Sequence, residues 1–216
     1  MSPRIQYAKE LEKLDRDLLE MGVALEAAIE RTALAVETLD AALAEELIEG
    51  DDVFDHMERS IEKYCIDLVV KQAPIASDWR RIASIMRIVG DLERIADHCS
   101  DISLYVRKLS KRPVTILPEG LKGTMLVMKS MVCDTITAFV RLDTKLAADV
   151  VARDEIVDER FESTMRELCE SMQRRPDEIE QYVDYVLINK YIERMADHAV
   201  NVAEWIPYIA SGAYRM

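Results

Sequence analysis

Three observations predict an all-α protein built as two tandem, pseudo-symmetric three-helix bundles with six long helices. The heptapeptide Leu92-Glu93-Arg94-Ile95-Ala96-Asp97-His98 returns one hundred residues later as Ile192-Glu193-Arg194-Met195-Ala196-Asp197-His198, with five of seven positions identical and the other two exchanging apolar side chains. A repeat of this kind sets the number of structural units at two. Apolar residues recur at three- and four-residue spacing over most of the 216-residue chain, which is the helical period. The composition of 50% hydrophobic and 32% charged residues, with six Gly, six Pro and few aromatics, suits helices rather than a sheet.

Taken in order, Leu11, Leu14, Leu18, Met21, Leu25, Ala28, Thr32, Ala35, Leu39 and Ala42 form a heptad seam that predicts one long first helix, with Gly22 tolerated inside it. Gly50 breaks the pattern, and Asp51-Asp52 is an acidic start for a second helix, where carboxylates meet the positive end of the helix dipole. Phe54, Met57, Ile61, Tyr64 and Leu68 carry that helix to Pro74. Ser77-Asp78 is read as the N-cap of a third helix through Ile82, Ile85, Val89, Leu92, Cys99 and Val106, ending at Lys111-Arg112-Pro113. Residues 113–123 hold two Pro and two Gly without a period and read as a linker between a first bundle, 1–112, and a second, 124–216. There Met125, Met128, Val132, Phe139, Leu142, Leu146 and Val150 mark a fourth helix. Asp154 opens a fifth that reaches Arg175-Pro176, and Asp177 opens a sixth that frays near Pro207 and stops at Gly212. Short connections make successive helices antiparallel neighbours, hence bundles.

The formal net charge of -13, with no cluster of Lys and Arg to follow a phosphate backbone, disfavours nucleic acid as a partner. It equally gives no reason to expect adhesion to anionic lipid. No apolar run approaches the roughly 20 residues of a membrane span. Met1-Ser2-Pro3-Arg4 lacks the apolar core of a signal peptide, so the chain is expected in the cytoplasm. Cys65, Cys99, Cys133 and Cys169 stand singly in helical patterns without a CxxC and are expected as reduced, packed thiols.

The chemistry lies in the acids. Glu93 and Asp97, and again Glu193 and Asp197, stand four apart, about 40° of rotation and about 6 Å of rise, so each pair shares a helix face. The next oxygen in the row is Asp101 in the first copy and Asn201 in the second. The repeat also aligns Leu43 through Asp51 with Leu146 through Asp154, so that Asp51 and Asp55 correspond to Asp154 and Asp158. With a turn near residue 75, antiparallel counting sets Asp51 opposite residue 99 and Asp55 opposite residue 95; a turn near 176 sets Asp154 opposite 198 and Asp158 opposite 194. Each half therefore brackets one row of acids with another, across a helix spacing of about 8 to 10 Å. Like charges so arranged repel, and a bound cation removes that cost. Oxygen-only ligation suits Mg, Ca, Mn or Fe, whereas a closed structural zinc site would show Cys or His at defined spacing. The bland alternative is a set of solvated acids paired with Arg94, Arg194 or Lys190.

His98 and His198 follow the key aspartates and point about 100° away, which favours packing or hydrogen bonding to a ligand over ligation. His56 has no counterpart and is expected on the surface. Arg94 and Arg194 could read an anion or a partner's carboxylate, although pairing along their own helix is the plainer account. A ferritin-like di-iron site needs Glu-x-x-His, and neither histidine has an acid three residues before it. The sequence also has no P-loop, GxGxxG or nucleophile elbow, so no catalytic residue is assigned and the protein is expected not to be an enzyme. A metal-dependent enzyme and a metal-free structural bundle are the rival readings.

With these residues laid out, the chain resembles the PhoU family of bacterial phosphate-signalling regulators over almost its entire length. The resemblance rests on Gly50-Asp51-Asp52-Val53-Phe54-Asp55, Pro74-Ile75-Ala76-Ser77-Asp78-Trp79-Arg80, Asp91 through His98, and Ile192 through Glu204. It implies metal clusters, multinuclear and of Fe, Mn, Zn or Mg, bound by E(D)xxxD motifs on two similar three-helix bundles. Asp51, Asp55, Glu93, Asp97, Asp154, Asp158, Glu193 and Asp197 would be the ligands. Asp101 and Asn201 join them from the register, and Arg94, His98, Arg194 and His198 would support the ligands or meet partners. Two departures stand out: Ala96 and Ala196 replace the family's usual Gly, and Asp101 replaces its usual Asn. The function so implied is negative regulation of the phosphate-starvation response and of high-affinity phosphate uptake. The protein would be a homodimeric cytoplasmic adaptor between the ATPase of a phosphate ABC transporter and a phosphate-sensing histidine kinase, peripheral at the membrane only through these partners.

Overall fold

Two leucine-aspartate pairs turn the chain at equivalent points of its two halves. Leu39 and Leu142 adopt left-handed backbone, φ 51° and 50°, and the next residue caps the following helix. Asp40 Oδ1 accepts from the N–H groups of Ala42 and Leu43 at 2.9 and 3.1 Å, and Asp143 Oδ1 accepts from those of Lys145 and Leu146 at 3.0 Å each. Each cap satisfies orphan donors of a first turn. The computed structural model describes residues 3–72, 74–113 and 117–212. Within them, α1 spans Pro3–Thr38, α2 Ala41–Glu49, α3 Asp52–Gln72, α4 Ala76–Leu109, α5 Glu119–Arg141, α6 Thr144–Arg174 and α7 Ile179–Ser211, the last entered through a short 3₁₀ turn, Pro176–Glu178.

These turns correct the expected boundaries. The first helix stops at Thr38 instead of running to Ala42, and the fourth stops at Arg141 instead of reaching Val150. Apolar spacing continues through both turns, so periodicity alone cannot see them. Gly50, expected as the break between first and second helices, keeps right-handed backbone (φ −82°, ψ −5°) and donates to Glu46 O. It marks a jog between α2 and α3, which run one after the other along α1 and α4 as the second helix of the first bundle. The counterpart α6 is unbroken, and Asp154 lies ten residues inside it rather than at its start. The cap position of α4 is Ile75, not Ser77. At the far end, α5 begins at Glu119, inside the expected linker, whose residues 114–116 lie outside the described residues, as do Met1 and Ser2. Helix α7 continues through Pro207 without fraying and stops where expected, with Gly212 in left-handed backbone (φ 75°).

The first bundle packs α1, α2–α3 and α4; the second packs α5, α6 and α7. The bundles meet through α4 against α7 and α1 against α5, around one continuous apolar core. Helices α4 and α7 are central because both carry apolar residues on more than one face: Ile85, Ile88, Leu92, Ile95 and Ile102 in α4, and Tyr185, Ile188, Ile192, Met195 and Ile206 in α7 are buried. The outer helix α6 buries only a narrow stripe, Ala147, Val150, Val157, Thr164 and Leu168. Ala96 and Ala196 are both buried in this core. Gly22 marks a close helix approach: a Cβ there would stand 3.0 Å from Ile136 Cδ1 of α5. Helix α5 is long and apolar enough to cross a membrane, the one such helix among the described residues, but half of its most apolar stretch is buried in this core.

Candidate metal centres

The fold lays α3 antiparallel to α4 and α6 antiparallel to α7, and thereby brings each row of acids to the row that the repeat predicts. In the first half, Asp55 of α3 and Glu93 and Asp97 of α4 each offer a carboxylate oxygen, and the three oxygens lie within 4.8 Å of one another. Glu93 is only 7% exposed. Arg94, on the same helix, donates to Asp97 Oδ2 at 2.9 Å and stands 3.5 Å from Glu93, while Arg59 donates to Asp55 at 2.7 Å. These cations do not neutralise the cluster. Burial, and then the charge of Asp97, pushes Glu93 from its ordinary 4.5 up to about 7. Asp51, at the α2–α3 jog, is pushed up to about 6 by burial and then by Asp97, Asp55 and Asp101. Beside it a groove of about 180 Å³ is lined by Ala24, Ala27 and Ala28 of α1, Phe54 of α3, and Ala96 and Cys99 of α4.

The second half repeats the arrangement more loosely. Asp154 is pushed up to about 6 by burial and then by Asp158, Asp197 and Glu193, so these four acids share one field. Asp197 is also raised, by burial and then Glu193, while Lys190 opposes the rise. Raised carboxyl values with burial and acid neighbours as causes are the signature of negative charge that lacks a counter-ion. The donor set of the first half fits a hard or borderline cation, since three carboxylate oxygens converge there from two helices; in the second half the four acids share a field. A cation bound there would supply the missing positive charge and cross-link the paired helices.

The histidines lie in the seam between bundles. His98 is buried, donates from Nδ1 to Asp101 Oδ2 at 3.1 Å, and packs with its ring tilted against Tyr191 at 5.2 Å and His198 at 5.7 Å between ring centroids. His98 Nε2 is buried without a hydrogen-bond partner among the described residues. His198 donates from Nδ1 to Asp91 Oδ1 at 2.8 Å, and Asn201 Nδ2 donates to the same oxygen at 3.2 Å. Asn201, expected in line with Asp197, thus turns its amide nitrogen to α4. Arg94 pairs along its own helix, and Arg194 stands near Tyr191. His56 is exposed. Cys65 and Cys99 are buried thiols, but Cys169, expected as packed, is exposed on α6.

Three participants escape the repeated motif. Glu58, one turn beyond Asp55, adds its charge to Glu93; its i,i+3 spacing was the available signal. Asp91 and Tyr191 hold the opposite bundle's histidine by hydrogen bond and by tilted ring contact, across a seam with no local sequence mark.

The PhoU domain matches residues 18–106 and 125–206. A phosphate-specific transport system accessory protein PhoU homolog from Clostridium acetobutylicum is 32% identical over 207 residues, spanning 95% of this chain and 94% of that one. The homolog from Pseudomonas aeruginosa is 33% identical, with 96% and 86% covered. The crystal structure of PhoU from Pseudomonas aeruginosa superposes with a TM-score of 0.91 at 32% identity, covering 96% of this chain and all of the other. The phosphate transport system regulatory protein PhoU from Streptococcus pneumoniae gives 0.90 at 26% identity, covering 97% and 99%. Each matched segment contains one copy of the repeated heptapeptide and the acid pair that packs against it, and the chain belongs to the PhoU family.

Proposed function

We propose that this protein is a metal-binding accessory protein of phosphate-specific transport and a negative regulator of the phosphate-starvation response. It would act in the cytoplasm as a homodimeric adaptor between the transporter's ATPase and a phosphate-sensing histidine kinase. The observation that carries the reading is the near full-length match to relatives named as phosphate-specific transport accessory proteins. The units would be the two expected bundles, 1–112 and 124–216, with the second extended back to Glu119, where α5 begins within the expected linker 113–123. Cations at Asp51, Asp55, Glu93, Asp97 and Asp101, and at Asp154, Asp158, Glu193 and Asp197, would fix the helix pairs whose faces partners read. Asn201, and Arg94, His98, Arg194 and His198 around the seam, would support those faces. On this reading the metal sites perform no turnover.

The test is a deletion strain carrying a phosphate-starvation reporter. Derepression in high phosphate, reversed by the wild-type gene and not by Asp97→Ala with Asp197→Ala, supports the proposal. Unchanged repression in the deletion strain contradicts it, and a purified activity abolished by that double substitution moves the assignment to a metal-dependent enzyme.

A further inference from the structure

The two carboxylate clusters differ at positions outside the repeated heptapeptide. The repeat relates α4 to α7 by 100 residues and α3 to α6 by 103, so Gly90 corresponds to Lys190 and Glu58 to Phe161. In the first half Glu58 lies over the gap left by Gly90: a Cβ on residue 90 would stand 3.5 Å from Glu58 Oε1. Its carboxylate is directed to the α3–α4 groove, where it acts on Glu93. Asp101 acts likewise on Asp51. In the second half the same two positions are reversed in character. Lys190 Nζ pairs with Glu193 and stands 5.5 Å from the centre of the Phe161 ring. An aromatic ring thus takes the place of an acid, and an ammonium takes the place of open space.

The cations beside the two clusters differ: Arg59 and Arg94 stand at the first and Lys190 at the second. Arg59 and Arg94 approach the first cluster from solvent, with side chains 68% and 60% exposed. Lys190, itself 48% exposed, pairs with Glu193 and faces the Phe161 ring, two contacts that keep its ammonium beside the second cluster. Among the described residues, only the first half brings three carboxylate oxygens within 4.8 Å.

We infer that Glu58 is a sixth carboxylate of the first metal centre, beside Asp51, Asp55, Glu93, Asp97 and Asp101, and that Lys190 is a built-in counter-ion of the second. A divalent cation then loads the first half tightly and the second weakly. This rests on the reading that the acid rows hold a cation. A fixed positive charge a few ångströms from an incoming divalent ion lowers affinity by at least about tenfold after screening by solvent and salt.

The experiment is calorimetric titration of the chelator-stripped full chain with Mn²⁺ at pH 7.5, with electron paramagnetic resonance to count bound Mn²⁺ and melting curves to verify folding. Asp97→Asn is expected to abolish the tight phase, whereas Asp197→Asn leaves it intact. Lys190→Gln placed in the Asp97→Asn background is expected to raise second-half affinity by at least about tenfold, and Glu58→Gln to lower first-half affinity by a similar factor. Equal losses from Asp97→Asn and Asp197→Asn, or no gain from Lys190→Gln, overturn the inference and leave the metal reading standing. No uptake of Mn²⁺ by the wild-type protein overturns both.

Discussion

Replacing Glu93 by Gln removes a charge that the metal-free fold holds against burial. The residue is 7% exposed, and burial followed by Asp97 moves its carboxyl from 4.5 to about 7. Between those values the folded protein keeps a proton that the unfolded chain has released, so this group's contribution to stability falls as pH rises through the window. The full penalty for ionised Glu93 is about 3 kcal/mol. Relaxation and water penetration reduce it to roughly 1–2 kcal/mol. It is nearly complete at pH 8 and less than half developed at pH 5.5. Glu93→Gln keeps the shape without the charge, and any cost of packing an amide there is the same at both pH values. The variant should therefore gain roughly 1 kcal/mol on the wild type between pH 5.5 and pH 8 in urea denaturation after chelator treatment. With Mn²⁺ present the order inverts, because only the wild type retains the ligand. A difference between the two proteins that does not change with pH would refute the reasoning.

Chelation should lower the melting temperature of metal-loaded protein by roughly 5 to 10 °C, since a ligand at 100 times its dissociation constant adds about 2.7 kcal/mol; scanning calorimetry with and without chelator measures it. Asp40→Ala and Asp143→Ala each remove an N-cap that accepts two backbone N–H groups and should each cost about 1 kcal/mol, or roughly 2–4 °C. Gly212→Ala should destabilise by roughly 1–2 kcal/mol, because φ is 75° and the new Cβ would stand 3.1 Å from the Arg80 guanidinium carbon; equal melting of variant and parent would contradict this. Under native conditions a thiol-specific chromophore should label exposed Cys169 first and leave buried Cys65 and Cys99 until the protein is unfolded, with mass spectrometry identifying the site.

The helical class, the twofold repeat and the pairing of acid rows were legible in the chain because each depends on short-range periodicity. Glu93 and Asp97 share a face by helix geometry alone, and antiparallel counting from a turn needs only the turn's position. Antiparallel counting depends on the α3–α4 and α6–α7 turns and not on the helix starts, so it holds although α6 begins ten residues before Asp154. Leu39 and Leu142 hid the other turns: an apolar residue in left-handed backbone continues the heptad pattern, and only the capping aspartates after them carried a signal. Tertiary structure alone decided what faces the acids from outside the repeat. Glu58 over Gly90 and Lys190 over Phe161 are contacts between helices, and a spacing rule along one helix cannot contain them. The seam is the same case. Asp91 to His198, His98 to Tyr191 and the two histidine rings join residues about a hundred positions apart, and the packing of α4 on α7 is what brings them together.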